Sequence, residues 1–451
     1  MTGTVDLLVR GGVVVTPGGR VRADIACRAG RIVALGDIAG SWSEETVIDA
    51  AGLHVLPGVI DSQVHFREPG LIHKETIGAG TRGAVLGGVT TVFEMPNTSP
   101  PTLTAADLET KLAIAARDAW CDHAFYIGGA AANAGDLARL ELLPGCAGGK
   151  VFMGSSFGDL LADDEAVLRR ILASGRRRMA VHAEDEARLR ARRAIAEAAG
   201  DVRLHPVWRD PESALIATRR IVGLAAEAGR LLHVLHVSTA EEMAFLAVHK
   251  PRVSVEVTPH HLTLEAPDCY ERLGSLAQMN PPVREAAHRD ALWRAVREGV
   301  VDVLGSDHAP HSRAEKARPY PSSPSGMTGV QTLLPVMLDH VAAGRLSLER
   351  LVDLAAAGPA RIFGIAGKGR IAVGFDADLV LVDLKARRRI VDADIASLAG
   401  WTPYDGLTVT GWPVATVLRG QVVMREGEVI GAPRGQPVRF LDVLVSPSAP
   451  A

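Results

Sequence analysis

Residues with metal-binding or catalytic chemistry stand where apolar runs of this sequence end. In the stretch 59–70 the apolar lead-in gives way to Gln63, His65 and Arg67. Strand side chains alternate between faces, so these three project the same way from one strand. An imidazole flanked by an amide and a guanidinium is an unusual set to bury for packing alone. The pattern predicts a buried strand that delivers polar groups to a site at its carboxyl end, although a solvated strand end is the simpler alternative.

A second apolar run ends in Asp307-His308-Ala309-Pro310-His311. A carboxylate followed at once by a histidine supplies a candidate metal ligand and a candidate general base. The structural alternative is a capping aspartate before a loop.

Three further runs carry ligand-type residues. Lys150 lies inside an apolar strand, where it must lose its charge, find a partner or extend to a barrel rim. His182 ends the next strand, and the one after it carries His233 and His236. Residues three apart on a strand face opposite sides, so we expect only one of these two histidines to point inward.

Eight strand candidates alternate with helix-period segments through the middle of the chain, which predicts a (β/α)8 TIM-like barrel of class α/β. Two of the helices are expected at 105–116 and 164–173, with extra elements after His182 and Val257. Both ends are rich in short strands and predict one small β-sandwich domain. The expected domains are the sandwich, 1–54 with 366–440, the barrel, 55–365, and a disordered tail, 441–451. The strands are expected at 59–65, 90–95, 123–127, 149–153, 180–182, 233–236, 253–257 and 301–304.

The motifs resemble those of the amidohydrolase superfamily. The stretch 63–65 is similar to its His-x-His strand, and Phe66-Arg67-Glu68-Pro69-Gly70 and the Asp-His-Ala-Pro-His run resemble dihydroorotases. The resemblance covers nearly the whole chain and implies the same barrel with a flanking β-sandwich. It implies that His236 is the inward-pointing metal ligand and that His233 is packed or faces a helix. It also implies one or two zinc ions and a carbamylated Lys150, with the ligands His65, Lys150, His182, His236 and Asp307.

The resemblance also implies a substrate set and a reaction. The substrate set comprises Arg67, Asn97, Asn280 and His311, and a guanidinium and asparagine amides suit a carboxylate and a cyclic ureide. The reaction is the interconversion of dihydroorotate and N-carbamoyl-L-aspartate in pyrimidine biosynthesis. Bound zinc would activate a water molecule to attack the ring amide, and Asp307 would act as general base and acid.

One residue departs from the resemblance, because Gln63 replaces the first histidine of the metal motif. An amide oxygen is a poorer zinc ligand than imidazole. Three outcomes are open: Gln63 binds metal through oxygen, the site uses one metal, or the chain is an inactive scaffold for aspartate transcarbamoylase. Because the other ligands are kept, we favour an active enzyme. An allantoinase or hydantoinase is the enzymatic alternative.

Composition excludes several other classes of protein. The 451 residues are 47% hydrophobic with a formal net charge of −3, which argues against a nucleic-acid or membrane surface. The four cysteines are scattered and indicate reduced thiols of a cytoplasmic protein. No signal peptide or transmembrane run is evident. The resemblance suggests a homo-oligomer acting on a small-molecule substrate.

Overall fold

The computed structural model describes residues 3–38, 42–154 and 160–443. The strands of this part of the chain are numbered in order: β1 Gly3–Thr16, β2 Gly19–Arg28, β3 Arg31–Gly36, β4 Trp42–Asp49, β5 His54–Pro57, β6 Val59–Val64, β7 Val89–Glu94, β8 Asp122–Gly128, β9 Cys146–Phe152, β10 Met179–His182, β11 Leu232–Val234, β12 Val253–Val257, β13 Val303–Leu304, β14 Leu379–Arg389, β15 Thr408–Leu418, β16 Gln421–Arg425 and β17 Glu428–Val429.

The α-helices of the same residues are α1 Ile77–Leu86, α2 Ala105–Asp118, α3 Leu137–Leu140, α4 Glu165–Ala173, α5 Glu186–Ala199, α6 His205–Trp208, α7 Pro211–Ala228, α8 Ala240–Ala247, α9 Pro259–Thr263, α10 Asp268–Leu273, α11 Ala286–Arg297, α12 Arg313–Lys316, α13 Leu333–Ala342, α14 Leu348–Val352 and α15 Gly358–Phe363. Short 3-10 helices span Val202–Leu204, Gly274–Ala277, Asp392–Asp394 and Leu441–Val443, and a π-helical turn spans Asp353–Ala357.

Strands β6 to β13 form a parallel sheet in which each strand pairs with the next along the chain. A parallel bridge between Val64 and His308 links the first strand to the segment after the last, and the His65 N–H donates to the His308 carbonyl at 2.7 Å. Every residue of β6 to β9 is buried, because both faces of the sheet are covered. The TIM-like barrel is confirmed, and each of the eight expected strands overlaps an observed one.

Helices cover the outside of the barrel and begin at the residues that cap them. Thr104 and Asp107 form a reciprocal capping box at the start of α2, and the Asp164 side chain accepts the Val167 N–H before α4. Helix α2 runs two residues beyond its expected end, and α4 starts one residue later because Asp164 is its cap. The two long intervals hold α5 to α7 and α9 to α11, as expected.

The two ends of the chain build one additional sheet of nine strands, in the order β17-β16-β15-β14-β5-β1-β2-β3, with β4 pairing parallel to β1. Strand β5 pairs with both β1 and β14, so this sheet continues to Pro57 before the barrel begins. Its apolar core is separate from that of the barrel and includes Leu7, Val14, Ile25 and Leu381.

Most of the expected tail, 441–451, lies outside the described residues. Its first residues form the 3-10 helix Leu441–Val443, where Asp442 pairs with Arg177 at 2.6 Å. All four cysteines are buried free thiols. In the part of the chain that the structure describes, no helix combines the length and apolarity needed to cross a membrane.

Candidate active site

The end of β6 brings three polar side chains together. The Gln63 amide donates from Nε2 to Asp307 Oδ1 at 2.9 Å, and His65 Nε2 lies 3.2 Å from the same oxygen. The other ring nitrogen of His65 lies 2.7 Å from Asn97 Oδ1, beyond the end of β7. Although burial opposes it, the hydrogen bond with His65 and the nearby charges of histidines lower the pKa of Asp307 to about 2. Asp307 is therefore ionised at neutral pH.

A second pair of candidate metal donors, His182 and His236, lies at the carboxyl ends of β10 and β11. His182 Nδ1 lies 3.0 Å from His236 Nε2, and His182 Nε2 lies 2.9 Å from Glu184 Oε2. Glu184 is held in turn by Arg209, whose Nε donates to Oε1 at 3.1 Å. Burial lowers the pKa of both histidines, which favours the neutral imidazoles that metals bind. A carboxylate behind a histidine fixes its tautomer and direction, as second partners of metal-binding histidines do.

Lys150 is electrostatically coupled to both groups of donors. Its side chain is 1% exposed, and Nζ lies 4.4 Å from the centroid of the Phe152 ring. Burial lowers the pKa of Lys150 to about 7, against the opposing charge of Asp307. Its charge acts in turn on His182 and His236. A substantial fraction of Lys150 is therefore a neutral amine near pH 7, the form that can react with carbon dioxide.

The candidate metal donors form two pairs, and the separation within each pair suits a zinc-type cation. Two nitrogens bound tetrahedrally to one zinc ion are about 3.3 Å apart. The His182–His236 and His65–Asp307 distances, 3.0 and 3.2 Å, are close to that separation. Among the described residues, no three His, Cys, Asp or Glu side chains gather into a metal cluster. A carbamylated Lys150 would supply a third donor, an oxygen, to either pair.

The sequence predicted that only one of His233 and His236 points inward, and this prediction was wrong. His233 lies 3.2 Å from Glu256 Oε2, which also accepts from Ser62 on the non-adjacent strand β6. Strands that are not neighbours meet only across the barrel interior, so His233 points inward too. Strand β11 ends at Val234, and His236 has a φ of 37°. The alternation of side chains along β11 therefore ends before His236, and the positive φ of His236 directs its side chain inward instead.

The substrate-side residues are only partly brought together. Arg67 Nη2 lies 3.2 Å from His311 Nε2, and Nε donates to the Pro310 carbonyl at 3.2 Å. Asn97 adjoins this group through His65. Asn280 instead pairs with His205 Nε2 at 3.0 Å on α6, with no described bond to the other three.

Sequence reasoning missed several residues around the site. Glu184 was visible two positions after His182, but Arg209 lies in a long interval with no motif to mark it. Lys316, the last residue of α12, donates to three loop carbonyls. His260 bonds Tyr404 at 2.9 Å, a contact between distant segments that no spacing reveals.

Comparison with known proteins assigns this chain to a family. The amidohydrolase family matches residues 54–423. The chain belongs to the amidohydrolase family. This amidohydrolase is 41% identical to a dihydroorotase of Halobacterium salinarum over 425 residues, 93% of this chain and 97% of that protein. It is 39% identical to an allantoinase of Rubrobacter xylanophilus over 449 residues, 96% of this chain and 97% of that protein.

A solved structure agrees with the amidohydrolase assignment. The L-hydantoinase (dihydropyrimidinase) from Arthrobacter aurescens superposes with a TM-score of 0.92 at 32% identity, covering 96% of this chain and 100% of that one. The barrel with its additional terminal sheet is thus shared with a hydantoinase.

Proposed function

We propose that this amidohydrolase interconverts dihydroorotate and N-carbamoyl-L-aspartate, the ring-closing reaction of pyrimidine biosynthesis. In the hydrolytic direction, water adds to the ring carbonyl and the ring C–N bond breaks. Dihydroorotate is a cyclic ureide that also carries a carboxylate. Allantoin and hydantoin lack that carboxylate. Whether the site can bind a carboxylate therefore distinguishes a dihydroorotase from an allantoinase or hydantoinase.

The observation that carries the proposal is the environment of Arg67. Its side chain is only 7% exposed, and no carboxylate among the described residues forms an ion pair with it. Arg209 and Lys111, which are more deeply buried, contact Glu184 and Glu94. A buried charge without a direct ion pair is costly, and a guanidinium binds a carboxylate through two hydrogen bonds. A substrate carboxylate would complete the site beside Arg67 and His311.

The candidate metal centre lies next to this arginine. His65, His182, His236, Asp307 and a carbamylated Lys150 are the candidate ligands for zinc. When bound, such an ion polarises the amide carbonyl and lowers the pKa of water. The charge of Asp307 acts on Arg67, so a carboxylate held by Arg67 would lie near the reacting groups.

The chain's own residues would carry the proton and set the orientation. Ionised Asp307 takes a proton from the attacking water and delivers it to the ring nitrogen as the C–N bond breaks. Gln63 and His65 fix the position of its Oδ1 atom. Asn97 orients the His65 ring. In the reverse direction Asp307 accepts the proton from the carbamoyl nitrogen.

An allantoinase or hydantoinase is the second candidate. The 39% identity to an allantoinase is almost as high as that to a dihydroorotase, and the L-hydantoinase shares the fold over nearly the whole chain. Neither allantoin nor hydantoin carries a carboxylate that could pair with Arg67. The scaffold alternative would require aspartate transcarbamoylase binding without hydrolysis.

The test is a comparison of steady-state rates on dihydroorotate, N-carbamoyl-L-aspartate, allantoin and hydantoin, with zinc and bicarbonate supplied. We expect the highest kcat/KM for dihydroorotate in the opening direction. Preference for allantoin or hydantoin would refute the proposal. Absence of turnover of all four by folded protein, with co-purification of aspartate transcarbamoylase, would support the scaffold.

A further inference from the structure

Beside the His65–Asp307 pair, Gln63 supplies an amide at the position where a second metal ion would need an imidazole. Gln63 is 1% exposed, and its Nε2 donates to Asp307 Oδ1 at 2.9 Å. His65 Nε2 meets the same oxygen at 3.2 Å. Gln63, His65 and Asp307 are thus already joined to one another through a single carboxylate oxygen.

We infer that Gln63 makes this a one-ion site, in which the amide holds Asp307 by a hydrogen bond and a single divalent cation binds at His182, His236 and Lys150. The inference rests on the proposed hydrolytic function and adds the number of ions and the role of Gln63. Asp307 would then act as a base held by hydrogen bonds.

The orientation of the amide supports this assignment. An NH2 group has no lone pair for a metal, and it is the NH2 end that faces Asp307. Without a cation between them, turning the amide over would place two acceptor oxygens, Gln63 Oε1 and Asp307 Oδ1, against each other in a buried site. With Gln63 used as a donor, His65 and Asp307 are the only ligands left at this pair besides the Lys150 carbamate, which the other pair needs as its third ligand, and zinc sites use at least three protein ligands.

The other pair is better prepared for a cation. His182 Nδ1 and His236 Nε2 are 3.0 Å apart. The Glu184 carboxylate, itself paired with Arg209, fixes His182 from behind. Lys150 lies on the neighbouring strand β9, opposite Ala180 and two residues before the partner of His182, and would complete three ligands as its carbamate.

Oxygen ligation by Gln63 is the competing arrangement. Gln63 Oε1 is buried and has no hydrogen-bond partner among the described residues, so it is the atom through which a second ion would bind. The amide would have to turn over for its oxygen to replace the nitrogen beside Asp307. The two arrangements differ in how many ions are lost when the amide is removed.

The experiment measures bound zinc by elemental analysis after loading with zinc and bicarbonate and dialysis, for the wild-type chain, Gln63→Leu and Gln63→His. We expect one ion per chain for the wild type and for Gln63→Leu, and two for Gln63→His, because histidine restores a third ligand. A cobalt titration of the wild type should reach its spectral end point at one equivalent, which tests the inference even if a variant misfolds.

Two results would overturn the inference. Two ions in the wild type, falling to one in Gln63→Leu, would make Gln63 an oxygen ligand. One ion in folded Gln63→His would place this position outside any coordination shell. No substrate is present in these measurements, so they are independent of the proposed function. One bound ion without dihydroorotate turnover would refute only the proposed function.

Discussion

At the scale of single residues, unusual backbone conformations aim the site's side chains. Among the described residues, six that are not glycine have positive φ, and three of them are Arg67 at 62°, His236 at 37° and Asp307 at 49°. Such conformations cost roughly 1–3 kcal/mol each and persist only where the surrounding structure holds them. The barrel therefore stabilises backbone turns that direct these three side chains to one place.

Replacing Arg67 tests its role as the carboxylate anchor. We expect Arg67→Met to raise KM for dihydroorotate by roughly 10- to 100-fold, because a charged hydrogen bond contributes about 1.5–3 kcal/mol. Arg67→Lys should lose less, since it keeps the charge but not the paired geometry. Steady-state kinetics on dihydroorotate and hydantoin would measure this, with the exposed Arg190→Met as control. Equal losses on both substrates would exclude a carboxylate-specific role.

Glu184 is expected to support metal binding without touching the metal. Replacing it with glutamine removes the acceptor charge that fixes His182 and leaves Arg209 without its carboxylate. We expect Glu184→Gln to weaken zinc affinity by roughly 10- to 100-fold, as loss of such partners does elsewhere. Competition with a chelator would measure this, with the exposed Glu197→Gln as the matched control. Unchanged affinity would show that Glu184 serves only to neutralise Arg209.

At the scale of elements, Lys316 at the end of α12 ties together two loops beside the site. Its Nζ donates to the carbonyls of Gln278, Pro324 and Gly326 at 2.9–3.0 Å. Ser325, in the second of these loops, accepts from the His311 ring at 3.0 Å. The lysine therefore fixes the loop that contacts His311.

Removing this anchor should loosen the loop more than it destabilises the barrel. We expect Lys316→Met to increase amide hydrogen exchange in residues 323–329. It should also lower kcat/KM by roughly 10- to 100-fold, since small misplacements of binding groups have effects of that size. The exposed Lys385→Met is the control. Unchanged amide hydrogen exchange with full activity would show that the two loops keep their positions without the lysine.

At the scale of the whole molecule, a buried charge cluster joins the barrel to the terminal sheet. Lys368 contacts Asp122 at the start of β8 at 2.7 Å and also Asp378, which precedes β14. Arg419, between β15 and β16, contacts Asp122 as well. Although burial opposes it, Lys368 and Arg419 hold the pKa of Asp122 below its ordinary value.

We expect Lys368→Met to lower the free energy of unfolding by about 3–5 kcal/mol, because it leaves buried carboxylates without their partner. Adding Asp378→Asn should recover part of that loss. Because the Asp122 pKa is depressed in the fold, its contribution is complete above its unfolded pKa and disappears as the pH falls through the folded one. Denaturant unfolding at pH 7 and at pH 3, which is below the unfolded pKa of about 3.9, should therefore show a smaller effect of the substitution at the lower pH. An equal effect at both would contradict this.

Local patterns were sufficient to predict much of this protein. Apolar runs ending in His65, Lys150, His182 and Asp307 marked the strands and their carboxyl ends, because burial and backbone geometry act over a few residues. Those runs predicted the barrel, and the helix-period segments between them predicted its outer layer. The short strands at both ends likewise predicted the terminal sheet.

Only the tertiary structure decided which side chains meet. His233 points inward with Ser62 and Glu256, Arg209 supports Glu184, and Lys316 holds distant loops. Asn280 pairs with His205 rather than with another residue of the expected substrate group. These contacts join segments far apart in sequence and depend on where each strand ends and how the chain turns afterwards. Strand alternation carries no information beyond the last paired residue, which is why it failed at His236.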